Sequence, residues 1–304
     1  MYLAVKTKEQ IDAAIEADQG ASFRKLLGQA IVESSDAFRS DNEPFRGHLG
    51  ASIIGQDCGR KVYYDWHWAT REKISARVLR LFNRGHLEEA RFIAMLRMIG
   101  VEVYQHDSNG KQFRIMDCAG HYSGSGDGIA VGIPDIQPGM PCLLEFKTHN
   151  DKSFIKLVKE GVKMAKPEHY VQMNQYMGKF GFGIALYGAV NKNNDDIHWE
   201  LVPFDRENYE AYMERAHKIV WADRIPTRIN NSPSWFQCSW CSHKKICHGL
   251  GAVPDKNCRT CAYSQPIDDR NEGGSWVCKL YNNAVIPKEV QFNGCPSYVV
   301  NKEL

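Results

Sequence analysis

Apolar positions along the chain switch between a helical and a strand rhythm. Over residues 79–100, LRLFNRGHLEEARFIAMLRMIG, Leu81, Phe92, Leu96 and Ile99 recur at helical spacing and the run stops at Gly100, which predicts an amphipathic helix. VEVYQHD (101–107) reads as a strand. GHYSGSGDGIAVGIPDIQPGMPCLLEFK (120–147) reads as a hairpin, two strands around a Pro/Gly turn. A helix is predicted over 152–166, ended by Pro167, and another over EHYVQMNQYMGKFG (168–181). GIALYGAVNK and IHWELVPF predict two more strands, and 205–223 one more helix. Residues 1–50 read as polar helices with DNEPFRGHLG (41–50) as a connecting loop, and 51–100 as a second helical block. From residue 235 the chain turns cysteine-rich and loop-rich. The expectation is an α/β fold, a mixed central sheet flanked by helices over 1–250, followed by a cysteine-rich metal-binding module over 251–304.

Composition narrows the class. The chain has 304 residues, a net charge of +2 and 43% hydrophobic residues, so it can bury a large core and is no polycation. The N-terminus lacks the apolar segment of a signal peptide, and no run reaches the length of a membrane span, so a cytoplasmic protein without membrane contact is expected. Seven of the ten cysteines fall after residue 237 at fixed spacings, which in a reducing compartment reads as metal ligation rather than disulfides.

The end of the hairpin carries the chemistry. In LLEFK, Glu145 and Lys147 are two residues apart on a strand and share one face. With the turn centred near residue 137, Asp127 falls opposite Lys147 and Ile129 opposite Glu145, which sets Asp127 and Glu145 diagonally at the open end. Two carboxylates with backbone oxygens suit Mg²⁺ or Mn²⁺. A surface ion pair explains Glu145 and Lys147 equally simply. Asp135, in the literal Pro-Asp of this stretch, sits at the turn, about 26 Å from Asp127 at about 3.3 Å per residue. A third acid is expected from RGHLEEARF. Glu88 and Glu89 straddle the apolar face of their helix, and periodicity does not choose between them.

GSGDGIA…LLEFK resembles the GxxD…ExK core of the PD-(D/E)xK nuclease superfamily. Gln172-x-x-x-Tyr176 resembles the QxxxY motif of its RecB-like exonuclease branch, and RGHLEE the upstream GxxxE/His motif, with Gly85 and Glu89 aligned and His86 near a metal-binding histidine. The likeness spans roughly residues 50–250 and extends to phage-encoded exonucleases of the lambda/YqaJ type. It implies a metal ion held by Glu89, Asp127, Glu145 and the Phe146 carbonyl, with His86 beside them. Lys147 would assist the attacking water, and Gln172 and Tyr176 would contact a phosphate or that water. The implied activity is a Mg²⁺- or Mn²⁺-dependent exonuclease on DNA ends, in recombination or end processing, beside a single-strand annealing or recombination partner. A catalytically silent DNA-binding protein and a site-specific endonuclease of the same superfamily are the alternatives.

Cys238, Cys241 and Cys247 form C-x2-C-x5-C, with Cys58 as candidate fourth ligand. One cysteine before the nuclease core and three after it resembles the [4Fe–4S] arrangement of AddB-type and CRISPR adaptation nucleases; thiolates suit such a cluster or zinc. Cys258, Cys261, Cys278 and Cys295 predict a small Zn²⁺ module. Cys118 and Cys142 are left to pack as small apolar side chains. Lys152, Lys156, Lys159, Lys163 and Lys166 would share one face of a helix, either a rail for a phosphate backbone or a solvated face; Gly161 weakens that helix. Trp235, Phe236 and Trp240 with Lys244 and Lys245 suit stacking on a single strand, or packing around the first cysteine group.

Overall fold

The computed structural model describes residues 1–38, 46–270 and 273–304; residues 41–45 of the expected 41–50 loop lie outside these. In chain order its elements are β1 (Tyr2–Leu3), α1 (Val5–Ala17), α2 (Ala21–Glu33), β2 (Leu49–Gly50), α3 (Gly59–Trp66), α4 (Ala76–Met98), β3 (Glu102–Tyr104), β4 (Arg114–Asp117), β5 (Tyr122–Ser125), β6 (Gly128–Val131), β7 (Cys142–His149), α5 (Asp151–Ala165), α6 (Pro167–Phe180), β8 (Ile184–Asn191), β9 (Ile197–Pro203) and α7 (Arg206–Val220), then the short α8 (Phe236–Ser239), α9 (Lys244–Cys247), β10 (Ser264–Ile267), β11 (Ser275–Cys278), β12 (Ala284–Val285) and α10 (Lys288–Gln291). The described residues form two compact units. Unit 1 holds 1–38, 74–115 and 125–209; unit 2 holds 46–73, 116–124, 210–270 and 273–304. The units interleave along the chain, and residue 250 lies inside the second. No described helix is long and apolar enough to cross a membrane.

Unit 1 is built on a mixed sheet of order β1-β9-β8-β7-β6-β3, in which β7 and β8 run parallel and the other neighbours antiparallel. Alternation along β7 divides its residues between two faces. Cys142, Leu144 and Phe146 join the core with Ala90, Phe92, Ile93 and Leu96 of α4. Phe92 stacks on Phe146 with ring centroids 4.8 Å apart and meets Trp199 edge-on at 5.3 Å. Gly188 lies beside Phe146 and Trp199 in the register, where a Cβ would stand 2.9 Å and 2.8 Å from their rings; the stack depends on the missing side chain. α4 ends at Gly100, whose φ of +81° favours glycine, as the N–H of Val101 closes on the carbonyl of Leu96 at 3.2 Å.

The opposite face of β7 carries Glu145, Lys147 and His149 towards α5 and α6. Pro167, expected to end a helix, also opens α6 at its first position, where its missing N–H is harmless. α5 is interrupted at Gly161 (φ +75°, ψ 165°). The buried carboxylate of Glu200 fills the break, accepting the N–H of Val162 at 3.0 Å. This corrects the lysine rail. Lys152, Lys156 and Lys159 precede the break; Lys163, beyond it, pairs with Asp205 at 3.1 Å and lies 4.9 Å over the ring of Tyr170.

The hairpin register also differs from expectation. β6 and β7 pair Gly128 with Leu144, Ile129 with Leu143 and Ala130 with Cys142, so pairing centres on residue 136 rather than 137. Moving the centre by one slides the partner by two, which preserves every face but places Asp127 opposite Glu145 instead of Lys147. The turn is fixed by Asp135. Its carboxylate accepts the N–H groups of Lys6 (3.0 Å) and Thr7 (2.7 Å) and the Thr7 hydroxyl (2.7 Å), capping the open first turn of α1.

Unit 2 has a three-stranded sheet β10-β11-β12 and a parallel pairing of β2 with β5. Its centre is Arg259, 2% exposed. The guanidinium donates to Gln291 Oε1 (3.1 Å) and to the carbonyls of Trp66 (3.1 Å) and Gly47 (2.8 Å). It lies 3.8 Å from the ring centroid of Trp68 and 4.9 Å from that of Trp276. Burial presses its pKa down to about 9, still above neutrality.

Candidate functional site

β7 puts Glu145 and Lys147 on one face, where they pair directly. Glu145 is fully buried, while the Lys147 side chain is 27% exposed. The second oxygen of Glu145 accepts from Gln172 Nε2 at 3.3 Å, and the same nitrogen donates to the hydroxyl of Tyr176 at 3.3 Å. Gln172 and Tyr176 are one turn apart on α6, so a single helix face presents both to β7. Asp127 precedes Gly128, where a Cβ would stand 2.9 Å from the carbonyl oxygen of Tyr104. That close approach aims Asp127 back at β7, and its Oδ2 accepts the N–H of Phe146 at 2.7 Å. In a strand the carbonyl of a residue points to the same side as its N–H, so the Phe146 oxygen faces Asp127 too.

The two acids of α4 separate. Glu88 is buried and held by Arg91 at 3.1 Å. Glu89 pairs with His86 at 3.4 Å, and both line a small cavity, about 20 Å³, together with Asp127. Burial and then the charge of Asp127 raise the carboxyl pKa of Glu89. Glu145 is likewise raised, by burial first and by Asp127 among its neighbours, against the pull of Lys147. Burial alone would lower the Lys147 ammonium; Glu145 and Asp127 more than reverse it. Three carboxylates thus act on one ammonium, which pairs directly with Glu145. A hard divalent cation would balance such a set, and its all-oxygen donors suit that chemistry.

No family model matches the chain, and no curated protein does. Among solved structures, the chain is similar to an alkaline exonuclease, LHK-Exo, from Laribacter hongkongensis, at 15% identity over 57% of this chain and 86% of that one, with a TM-score of 0.40. The same enzyme in complex with dAMP gives 16% identity over the same shares and a TM-score of 0.41. SSO0001 gives 14% identity over 76% of this chain and 98% of that one, with a TM-score of 0.41. At these values the residues themselves have to carry the functional argument.

All ten cysteines are free thiols, and both expected groups lie within unit 2. Cys58 caps α3, accepting the N–H of Lys61 at 3.4 Å. The Cys238 thiol is raised by burial and then by Cys58 and Cys247; Cys241 is raised by burial, with Cys58 among its neighbours. Cys58, distant in sequence, is thus near enough to Cys238 and Cys241 to bear on both thiols. Cys258, Cys261, Cys278 and Cys295 line one cavity of about 20 Å³, room for a single water-sized particle. Burial and the other three thiols push Cys258 up to about 11. Cys142 packs in the core as expected. Cys118 is buried but adopts φ +47°, and its sulfur lies within 4.8 Å of ligand atoms of Asp117 and His217. Its burial nevertheless matches the expected packing as a small apolar side chain.

Two histidines beside the site escaped the sequence reading. Tyr187, paired with Glu145 in the β7–β8 register, has its hydroxyl 2.9 Å from His149 Nε2 and 2.8 Å from His169 Nδ1. Both were accessible by the spacing that picked out the others, since His149 continues the Glu145–Lys147 face and His169 lies three residues before Gln172. Burial, with Lys166 and Lys147 adding repulsion, lowers the pKa of His149 to about 4. Above pH ~6.5 the folded and unfolded forms both hold it neutral. As pH falls from there towards about 4, the unfolded chain takes up a proton that the folded one refuses. Stability is then lost by about 1.4 kcal/mol per pH unit from this residue. Urea midpoints between pH 4 and 7 check this: His149→Gln flattens the slope by close to one proton, and an unchanged slope refutes it.

Proposed function

We propose that the chain is a divalent-metal-dependent DNA exonuclease that works from DNA ends in recombination or end processing, beside a single-strand annealing or recombination partner. The observation that carries this is a set of three carboxylates, Glu89, Asp127 and Glu145, beside the Glu145–Lys147 pair, with Glu89 and Glu145 raised by burial and by the other acids. Glu89, Asp127, Glu145 and the carbonyl of Phe146 would hold Mg²⁺ or Mn²⁺, with His86 orienting Glu89. Such an ion, when bound, polarises a phosphodiester and acidifies a water. Lys147 holds that water or offsets charge on the phosphate, and the Tyr176–Gln172 pair keeps Glu145 aimed.

End-labelled linear duplex and single-stranded DNA, incubated with Mn²⁺ beside a closed circle, test the reading. Linear DNA is expected to be degraded and the circle spared. Glu89→Gln abolishes the loss, whereas Glu88→Gln leaves it within about tenfold, because Glu88 serves Arg91 instead. Cutting of the circle turns the reading to an endonuclease; binding without cutting turns it to a DNA-binding protein.

We infer a [4Fe–4S] cluster at Cys58, Cys238, Cys241 and Cys247, and Zn²⁺ at Cys258, Cys261, Cys278 and Cys295. Both roles are structural, since phosphodiester hydrolysis moves no electrons. Protein purified without oxygen is expected to be brown with a broad visible band and to carry one zinc. A colourless protein with two zincs overturns the iron assignment.

A further inference from the structure

We propose that residues 235–245 of unit 2 form a stacking platform for an unpaired DNA strand, a binding site separate in kind from the acidic cluster. The inference takes DNA as ligand from the reading above. Trp240 is 90% exposed, Phe236 62% and Trp235 42%. Trp235 and Phe236 stand with ring centroids 5.0 Å apart at 56°. Phe236 and Trp240 are four residues apart across the turn of α8, so they rise on one side of it. Packing around the cysteine group, the other use open to these rings, would bury them, and they are not buried.

The base beneath the rings is fixed. His243, 2% exposed, bonds Asp65 at 2.8 Å and Thr70 at 3.0 Å. Gln237 holds Asp57 at 2.7 Å, and Arg228 donates to the carbonyl of Cys247 at 2.7 Å. A rigid mount with exposed rings loses little freedom on binding. Charge selects the ligand. Between Asp223 and Asp255 the chain has no Asp or Glu but has Arg224, Arg228, Lys244 and Lys245. Two acids that reach the segment, Asp57 and Asp65, are bonded, the first to Gln237 and the second to His243 and Lys61. Aromatic faces among cations fit a polyanion whose bases are free to stack, which describes a single strand rather than a duplex.

The test measures binding of labelled dT20 and of a 20-base-pair blunt duplex by anisotropy, on the full chain carrying Lys147→Ala so that no strand is cut. Trp240→Ala, which removes an exposed ring and leaves the mount intact, is expected to weaken dT20 by about tenfold or more while leaving the duplex unchanged. Trp240→Phe restores most of the affinity. Lys245→Gln lowers the salt dependence for dT20 by about 0.7 in log–log slope. Unchanged dT20 binding in Trp240→Ala, or equal loss for both DNAs, overturns the proposal. So does a chain that binds neither DNA but self-associates through Trp240 in sedimentation. If the parent chain lacking Lys147→Ala degrades nothing with Mn²⁺ yet dT20 binding still depends on Trp240, the exonuclease reading fails and the platform stands.

Discussion

Lys147→Ala is expected to lower Mn²⁺-supported degradation of linear DNA by on the order of 10³-fold, and Glu145→Gln to do the same by a different route. Lys147 pairs directly with Glu145, and losing its charge leaves Glu89, Asp127 and Glu145 repelling one another. A bound divalent ion relieves that repulsion, so Mn²⁺ should raise the melting temperature of Lys147→Ala more than that of the parent chain. Glu145→Gln removes a ligand while keeping a side chain of similar shape beside Gln172, so its Mn²⁺ shift should shrink. The two variants thus share a loss of activity and part in their response to metal. Activity within tenfold of the parent in Lys147→Ala, or equal Mn²⁺ shifts in the two variants, removes the site assignment.

The second large effect is on stability. Arg259→Lys is expected to destabilise unit 2 by about 3–5 kcal/mol, the range for breaking a buried, hydrogen-bonded charge. A lysine carries its donors on one nitrogen and cannot span Gln291, Trp66 and Gly47 while lying flat between Trp68 and Trp276. Arg259 also stands between Cys258 and Cys261, so the loop that presents two thiols presents the guanidinium. If the proposed zinc is bound there, the variant should release it at lower chelator concentration as well as unfold at lower urea. Unfolding within about 1 kcal/mol of the parent, a typical surface effect, would show that the packing around Arg259 is incidental.

Local patterns made much of the architecture legible. The strand rhythm of β7 put Glu145 and Lys147 on one face, and the helical spacing of Gln172 and Tyr176 put them together on α6. What failed was non-local. The hairpin register depends on where Asp135 anchors, and its partners on α1 are more than 120 residues away. Periodicity left Glu88 and Glu89 equivalent astride an apolar face; what distinguishes them is a neighbour, Arg91 on Glu88 and His86 on Glu89. Arg259 was invisible, since a lone arginine between cysteines looks like surface until its two tryptophans are known. The broken α5 is an intermediate case: Gly161 gave warning, but the buried Glu200 that fills the break lies on another strand.

The interleaving of the two units has a consequence for synthesis. Every strand of the unit 1 sheet has been made once residue 203 is joined, so that unit can close while the rest of the chain is still being synthesised. Apart from β5, the partners of segment 46–73 are made long after it. Cys58 waits for Cys238, Trp68 for Arg259, and the carbonyl of Gly47 for the same guanidinium. During that interval β2 can already pair with β5, but residues 58–68 still lack these later partners, which makes residues 58–68 the expected target of chaperones and proteases on the ribosome.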